Sequence, residues 1–100
     1  MIETVNRLRR ALVSRVLDGP GVATAEARRH AFDNRGVGLP ERALVEKVAR
    51  TAWKVTDADV AAVTAAGRSD DEIFELVVCA ALGQSTRQLE SALAALKEIP

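Results

Sequence analysis

The sequence predicts an all-α domain, and three observations support this fold class. Apolar residues recur at steps of three and four along most of the chain, which is the spacing of one helix face. Capping residues and glycines separate these segments, most clearly at Gly67-Arg68-Ser69. No segment alternates apolar and polar residues as a half-buried strand does. We therefore expect six helices in one compact domain.

The N-terminal third is predicted to hold two helices. Gly19-Pro20-Gly21 ends the first, which spans residues 3–18, because glycine and proline interrupt a helix firmly. Thr24 is expected to cap the second helix over residues 25–34, which closes at Asn34-Arg35-Gly36. The apolar stripe of the first helix consists of Val5, Leu8, Leu12 and Val16, widened by Val13 and Leu17.

The next two helices follow the loop at residues 36–40. Pro40 suits the first turn of a helix over residues 40–54. Thr56 is expected to cap a fourth helix, which ends at Gly67 and has acidic residues in its first turn, where the helix dipole favours them. The apolar face of the third helix is formed by Leu44, Val45, Val48, Ala49 and Ala52.

The C-terminal third is predicted to hold the last two helices. Ser69 and Glu72 have the spacing of a capping box and start the fifth helix, whose core side includes Ile73, Leu76, Val77 and Ala80. Gly83 is predicted to break or bend it. The sixth helix covers residues 85–98, with Leu89, Ala92, Leu93 and Leu96 on one face. The domain thus divides into an N-terminal helix pair, residues 1–35, and a four-helix core, residues 40–98.

The composition predicts self-association. The 100 residues include 18 Ala but only three aromatic residues, so the side chains available for a core are small. A small domain with such a core buries little apolar area by itself, and contact with further copies adds to it. We expect a homo-oligomer, of which the homodimer is the commonest form.

The charge distribution leaves two interpretations open. Residues 1–50 carry ten Lys and Arg against six Asp and Glu, a net charge of +4, whereas residues 51–100 carry four against eight, a net charge of −4. The two halves are either two solvated surfaces or surfaces that attract each other between copies. The whole chain has no net charge, which gives no general argument for nucleic acid.

The chain has no feature of a secreted or membrane-bound protein. Its single cysteine excludes an internal disulfide, and its start lacks a secretory signal. No stretch approaches the roughly 20 apolar residues that cross a bilayer. We expect a cytoplasmic protein without a membrane partner.

One segment resembles a known enzyme superfamily. It reads Ala61-Ala62-Val63-Thr64-Ala65-Ala66-Gly67-Arg68-Ser69-Asp70-Asp71-Glu72-Ile73-Phe74-Glu75-Leu76, followed by an apolar helix through Leu82. In this pattern, and over about residues 44–96, the chain resembles the alkylhydroperoxidase D-like superfamily, which includes the carboxymuconolactone decarboxylases. The resemblance implies a compact six-helix orthogonal bundle that assembles into trimers, hexamers or other oligomers.

The reactive residues of that superfamily are missing. Its redox members carry Cys-x-x-Cys-x-x-x-His just before this segment, and the resemblance places those three positions at Ala52, Val55 and Asp59. Peroxide reduction needs a thiolate nucleophile and a resolving thiol, which alanine and valine do not supply. The histidine that decarboxylase members use in this region is absent as well. The resemblance therefore implies no catalytic residue, no cofactor and no metal site.

Six residues remain as a candidate pocket or interface. Trp53 is the only tryptophan, and it is expected either to anchor the core or an interface or to form one wall of a small-ligand pocket with Lys54 and Asp57 at its mouth. Cys79 is interpreted as a small buried residue, the alternative being a redox-sensitive thiol or an intersubunit disulfide. The full set is Trp53, Lys54, Asp57, Asp59, Glu75 and Cys79.

The other charged residues favour structural roles. His30 follows two arginines near a helix C-terminus, where a positive charge is stabilising. Asp70, Asp71 and Glu72 suit a helix first turn, so capping and the helix dipole account for them. The arginine-rich first helix suggests phosphate or nucleic-acid binding, but stacking aromatic residues are scarce. A helix-turn-helix over residues 57–82 would present an acidic recognition helix, which DNA repels.

Together these observations predict a non-catalytic helical protein that binds copies of itself or a protein partner. A divergent enzyme of the same superfamily, with a relocated site near Trp53, Asp57, Asp59 and Glu75, is the alternative. A small nucleic-acid-binding regulator is the weaker third hypothesis.

Overall fold

The all-α prediction is confirmed. The computed structural model describes residues 1–99, and within them the chain forms five α-helices, one 3-10 turn and no strand. The α-helices are α1 (Ile2–Asp18), α2 (Ala25–Asp33), α3 (Glu41–Arg50), α4 (Asp57–Ala65) and α5 (Asp70–Lys97). The 3-10 turn spans Ala52–Lys54, between α3 and α4.

The junction between α4 and α5 forms as its sequence predicts. Gly67 has a φ angle of 105°, a conformation that residues with a Cβ rarely adopt, and it lets the Arg68 amide donate back to the Val63 carbonyl at 3.3 Å. Ser69 accepts from the Glu72 amide at 3.1 Å, and the Glu72 carboxylate accepts from the Ser69 amide at 3.1 Å. These reciprocal bonds are the capping box, so the acidic first turn of α5 has a structural role.

The predicted break at Gly83 is wrong, because α5 runs without interruption from Asp70 to Lys97. Gly83 is buried where α5 crosses α2, and a Cβ at this position would collide with the Phe32 carbonyl oxygen. The glycine therefore permits a close approach of two helices. Arg87, one turn further along α5, donates to the same carbonyl at 2.6 Å and so caps the last turn of α2.

The third predicted helix is also shorter than expected. It ends at Arg50, and Thr51 leaves the helical conformation with φ −143° and ψ 56°. The 3-10 turn that follows redirects the chain, and Val55 then packs against a small apolar cluster between α3, α4 and α5. The buried members of this cluster are Leu44, Val63 and Ile73.

The main core lies along α5. Its buried residues come from α1, the α1–α2 loop, α2, α3 and α5, so the N-terminal helix pair packs onto the rest of the chain. These residues are Leu17, Ala23, Ala31, Val45, Leu76, Cys79 and Ala80. Most of them are small, as the composition predicts.

The first helix contributes only one edge of its apolar stripe to this core. Leu17 is buried, and Val13 and Val16 are half-buried. Val5, Leu8 and Leu12 instead face outward, and Leu8 is 62% exposed. The stripe is wider than the part that the rest of the chain covers.

Candidate interaction surface

The six candidate residues predicted from the sequence lie in two places. Trp53 and Lys54 belong to the 3-10 turn, and Asp57 starts α4; all three are exposed. Trp53 is 78% exposed, so it does not anchor the core of this chain. Glu75 and Cys79 lie on α5 and face the end of α1, where they line one groove.

Asp59 is held by hydrogen bonds at the start of α4. Its carboxylate accepts from the Lys47 ammonium at 2.8 and 3.0 Å and from the Thr56 amide at 2.8 Å. The bond from Lys47, followed by the bond from Thr56, lowers the pKa of Asp59 below its usual value of 3.8. Asp59 therefore joins α3 to α4 and completes the cap of α4.

Glu75 fixes the loop between α1 and α2. Its carboxylate accepts from the Val22 amide at 2.8 and 3.1 Å and from the Ala23 amide at 2.6 Å. Charge-assisted bonds to backbone amides are among the stronger hydrogen bonds in proteins. Glu75 and Asp59 each serve a different junction of the fold, and the structure does not bring them into a shared pocket among residues 1–99.

Cys79 lies beneath the groove and is fully buried. Burial raises the pKa of its thiol, since the thiolate would lose its hydration; nearby Arg28 opposes this effect and Glu75 adds to it. A protonated, enclosed thiol is a poor nucleophile. The interpretation of Cys79 as a small buried residue fits this environment.

Arg28 is the residue of this region that the sequence did not identify. It is only 7% exposed, and its Nη1 donates to the Val16 carbonyl at 3.0 Å and to the Gly19 carbonyl at 2.8 Å. It thereby supplies the hydrogen-bond donor for two backbone carbonyl groups at the C-terminal end of α1. Its neighbour Arg29 is exposed, and the pair Arg28-Arg29 gives no sequence signal for which of them is buried.

The groove itself lies between the second half of α1, the loop after it and the first turns of α5. Its volume is about 270 Å³. Apolar side chains form most of its walls, with Arg28, Glu75 and Cys79 at its base. The wall residues are Leu12, Arg15, Val16, Pro20, Phe74 and Val78.

The groove is part of a larger apolar surface, which we call the α1–α5 face and define by Val5, Leu8, Leu12, Phe74 and Val78. Phe74 is 70% exposed, although its neighbour Ile73 is buried. Leu12 and Phe74 both line the groove, and the exposed Leu8 and Val5 precede Leu12 along α1. Exposed apolar patches of this kind mark interaction sites in soluble proteins.

Within residues 1–99, no three His, Cys, Asp or Glu side chains come together in a way that would hold a metal ion. None of the helices in the same part of the chain is long and apolar enough to cross a membrane.

Comparison with known proteins gives no relative for this chain. No protein-family model matches it, and neither the curated proteins nor the solved structures contain a significant match.

Proposed function

We propose that this chain is a non-catalytic, self-assembling protein, and that the α1–α5 face of one copy packs against the same face of another. The observation that carries the proposal is the set of exposed apolar side chains along α1, Val5, Leu8 and Leu12, which ends at a groove that Leu12 and the exposed Phe74 both line. Leu8, Leu12 and Phe74 are large side chains, and covering them removes apolar area from water.

The direction of α1 on α5 favours a second copy as the occupant. Arg9 contacts Glu90 at 3.5 Å, while Val16 and Pro20 line the same groove as Phe74 and Val78, so α1 runs antiparallel to α5. The end of the face near the start of α5 carries the exposed acids Asp70 and Asp71. The opposite end carries the exposed Arg7 and Arg10 of α1, whereas the exposed Arg15 lines the groove together with Phe74.

A two-fold axis through the middle of the face uses this charge pattern. It pairs α1 of one copy with α1 of the other in antiparallel orientation and brings each basic end next to an acidic end. An interface between identical surfaces has this symmetry in a homodimer. Opposite charges at its two ends would fix the orientation and speed the encounter.

The size of the face fits the proposal. The 17 residues of α1 make a helix about 25 Å long. A strip of that length and two helices wide covers about 500 Å² in projection, since packed helices lie 8–10 Å apart. Stable interfaces bury roughly 800 Å² per partner, which is the same order of magnitude.

The proposal includes descent from the alkylhydroperoxidase D-like superfamily with loss of its chemistry. Two observations support this part: the all-helical chain, and the structural use of the position that would carry the histidine. Asp59 there caps α4 and binds Lys47. Ala52 and Val55, which stand where the thiols would be, lie in and next to the 3-10 turn.

Substitution of the face tests the proposal. The variant Leu8→Glu/Leu12→Glu places two charges in the centre of the proposed interface, where burial of an unpaired charge is very unfavourable. Light scattering coupled to size-exclusion chromatography should report a dimer or larger oligomer for the unchanged chain and a monomer for the variant. The control Ala61→Glu/Ala65→Glu changes two exposed residues of α4 and should leave the mass unchanged.

Salt provides an independent measurement. If opposite charges orient the two copies, the dissociation constant should rise between 50 mM and 500 mM salt, because screening weakens exposed charge pairs. A chain that stays monomeric at high protein concentration in both buffers contradicts the proposed function.

A further inference from the structure

A second cavity lies away from the α1–α5 face, on the other side of α5. It occupies about 110 Å³ where α2, α3 and α5 meet. Its floor is apolar and belongs to the core. The floor residues are Ala27, Ala31, Val45 and Leu76.

Three ionisable side chains from separate elements form the rim of this cavity. They are His30 of α2, Glu41 in the first turn of α3, and Arg68 in the turn before α5. Such a combination of an apolar floor and a few polar groups is typical of small-molecule sites.

The charged side chains on the rim differ in how closely they are paired. The Arg68 Nη1 donates to the Glu72 carboxylate at 2.8 Å, a close ion pair. Its Nε lies 3.7 Å from the Glu41 carboxylate, beyond hydrogen-bond distance. Within residues 1–99, neither the Glu41 carboxylate nor the His30 imidazole has a side-chain hydrogen bond shorter than 3.5 Å. One arginine thus faces two carboxylates, and Glu41 keeps its acceptor capacity.

The loop over the cavity leaves space beside these groups. Gly36 and Gly38 line the opening, and the imidazole of His30 lies 3.4 Å from the position that a Cβ of Gly36 would take. Nothing lies within 4 Å of the corresponding position at Gly38. The rim is therefore accessible past a loop with little side-chain bulk.

We propose that this cavity binds a short primary alkylammonium ion of about three to five carbons. The ammonium group donates to the Glu41 carboxylate and to the His30 imidazole, and the alkyl chain lies on the floor formed by Ala31, Val45 and Leu76. The Arg68 guanidinium, which also lines the cavity, is already paired with Glu72 at 2.8 Å, whereas the Glu41 carboxylate lies 3.7 Å from it. Glu41 is therefore the group that lacks a close partner, and a cationic donor complements it better than a carboxylate does.

The volume limits the ligand to this size. Drug-sized ligands occupy pockets of roughly 300–1,000 Å³, whereas an apolar cavity of about 150 Å³ accommodates benzene. A cavity of 110 Å³ therefore accommodates a molecule of about five non-hydrogen atoms. A ligand this small binds weakly, and we expect a dissociation constant of about 0.1–1 mM.

The test uses n-butylamine at pH 7, where an alkylamine is protonated as lysine is. Titration of the full chain, followed by the NMR amide signals of Gly36 and Gly38 and the imidazole signals of His30, should give saturable shifts. n-Butanol should bind at least tenfold more weakly, because it lacks the charge. n-Butyrate should cause no saturable shift.

Two variants locate the site. Glu41→Gln keeps the shape of the side chain and removes its charge, and it should weaken butylamine binding about 10–100-fold, the range of a lost charge-assisted bond. The matched control Glu46→Gln changes an exposed carboxylate of the same helix and should bind as the unchanged chain does. Ala27→Leu fills the cavity and should abolish binding.

Three outcomes of these measurements would contradict the proposal. Preference for butyrate, equal binding of butanol and butylamine, or no saturable shift with any of the three ligands contradicts an ammonium site. The circular dichroism spectrum of each variant checks folding, so that a lost shift is not confused with a lost fold. None of these outcomes depends on whether the chain self-assembles.

Discussion

Both α2 and α1 pack on α5, but they do so in opposite ways. α2 crosses α5 with backbone close to backbone at Gly83 and Phe32, and its apolar residue Ala31 is inside the core. α1 is held near its C-terminal end by hydrogen bonds from Arg28 of α2, and most of its large apolar residues remain outside the core. At the Gly83 crossing, the α2 side of α5 is closely packed, whereas much of the apolar surface on the α1 side stays exposed.

This contrast separates the part of the chain that stabilises the fold from the part that we propose for assembly. A side chain added at the Gly83 crossing has no space and disturbs the fold. On the exposed part of the α1 side, a changed side chain alters what the surface can bind and leaves the core intact. The α2 side of α5 thus contributes to the stability of the fold, and the α1 side provides the surface proposed for association.

The largest expected effect is a loss of stability at the crossing of α2 and α5. Gly83→Ala adds a methyl group that collides with the Phe32 carbonyl oxygen, so α2 and α5 must separate. We expect the free energy of unfolding to fall by about 1–3 kcal/mol, the usual cost of overpacking a well-packed core. Urea unfolding followed by far-UV circular dichroism measures it.

The control for this variant is Gly38→Ala. No atom lies within 4 Å of the methyl group that it adds. Its effect should stay within about 0.5 kcal/mol, as for other surface substitutions. Equal destabilisation by both variants would contradict the role assigned to the helix crossing.

An intermediate effect is expected where α1 is attached. Arg28→Met keeps an apolar stem of similar length but leaves the carbonyls of Val16 and Gly19 without their donor. The expected loss in free energy of unfolding is about 2 kcal/mol, which combines the lost charged hydrogen bonds with two carbonyls left unsatisfied. The same urea titration provides the measurement.

Arg29→Met is the matched control on the neighbouring residue. Arg29 is exposed and lies 3.6 Å from Asp18. Exposed ion pairs contribute about 0–1 kcal/mol, so this variant should unfold close to the unchanged chain. If Arg28→Met proves as mild as the control, then α1 is held by packing alone and the contrast with α2 disappears.

The smallest expected effect is a change with pH in the free energy of unfolding, and it arises at the starts of α4 and α5. The amide of Ser69, followed by Arg68, lowers the pKa of Glu72 below its usual value of 4.5, and the bonds to Asp59 lower the pKa of that carboxyl. As the pH falls, these two carboxylates are therefore protonated at a higher pH in the unfolded chain than in the folded chain. The stability that both groups contribute is complete above their ordinary pKa values and is lost as the pH falls through the lowered ones.

Unfolding at pH 7, 5, 4 and 3 tests this expectation. Glu72→Gln and Asp59→Asn should differ from the unchanged chain at pH 7 and approach it at pH 3. Since α1 has no side-chain cap, Glu3→Gln is the control and should leave the free energy of unfolding at pH 7 close to that of the unchanged chain. A constant difference across the whole pH range would show that the charge of these carboxylates is not what stabilises the caps.

Local signals predicted the helix starts and turns of this chain. Thr24, Thr56, Ser69 and Gly67 all act as their residue types suggest, because a cap depends on atoms within four residues. Gly83 shows the limit of that reasoning. Its effect depends on Phe32, which lies 51 positions away in the chain, and a close helix approach overrides the low helix propensity of glycine.

The candidate site was less predictable for a similar reason. Glu75 and Cys79 were identified as candidates, but their partners Val22, Ala23 and Arg28 belong to another part of the chain. The stripe of α1 indicates a helix with an apolar side, and its spacing does not tell which part of that side the same chain covers. The sequence does not predict that Phe74 is exposed while its neighbour Ile73 is buried, because this depends on which helices pack around α5.

The position of Trp53 has a practical consequence. Its indole ring is the only one in the sequence, and it is in contact with solvent in the folded chain. Its fluorescence should therefore change little when the chain unfolds, which makes it a poor reporter of folding. The same property makes it a sensitive reporter of any molecule that covers the corner between α3 and α4, because the emission would shift to shorter wavelengths as water leaves the ring.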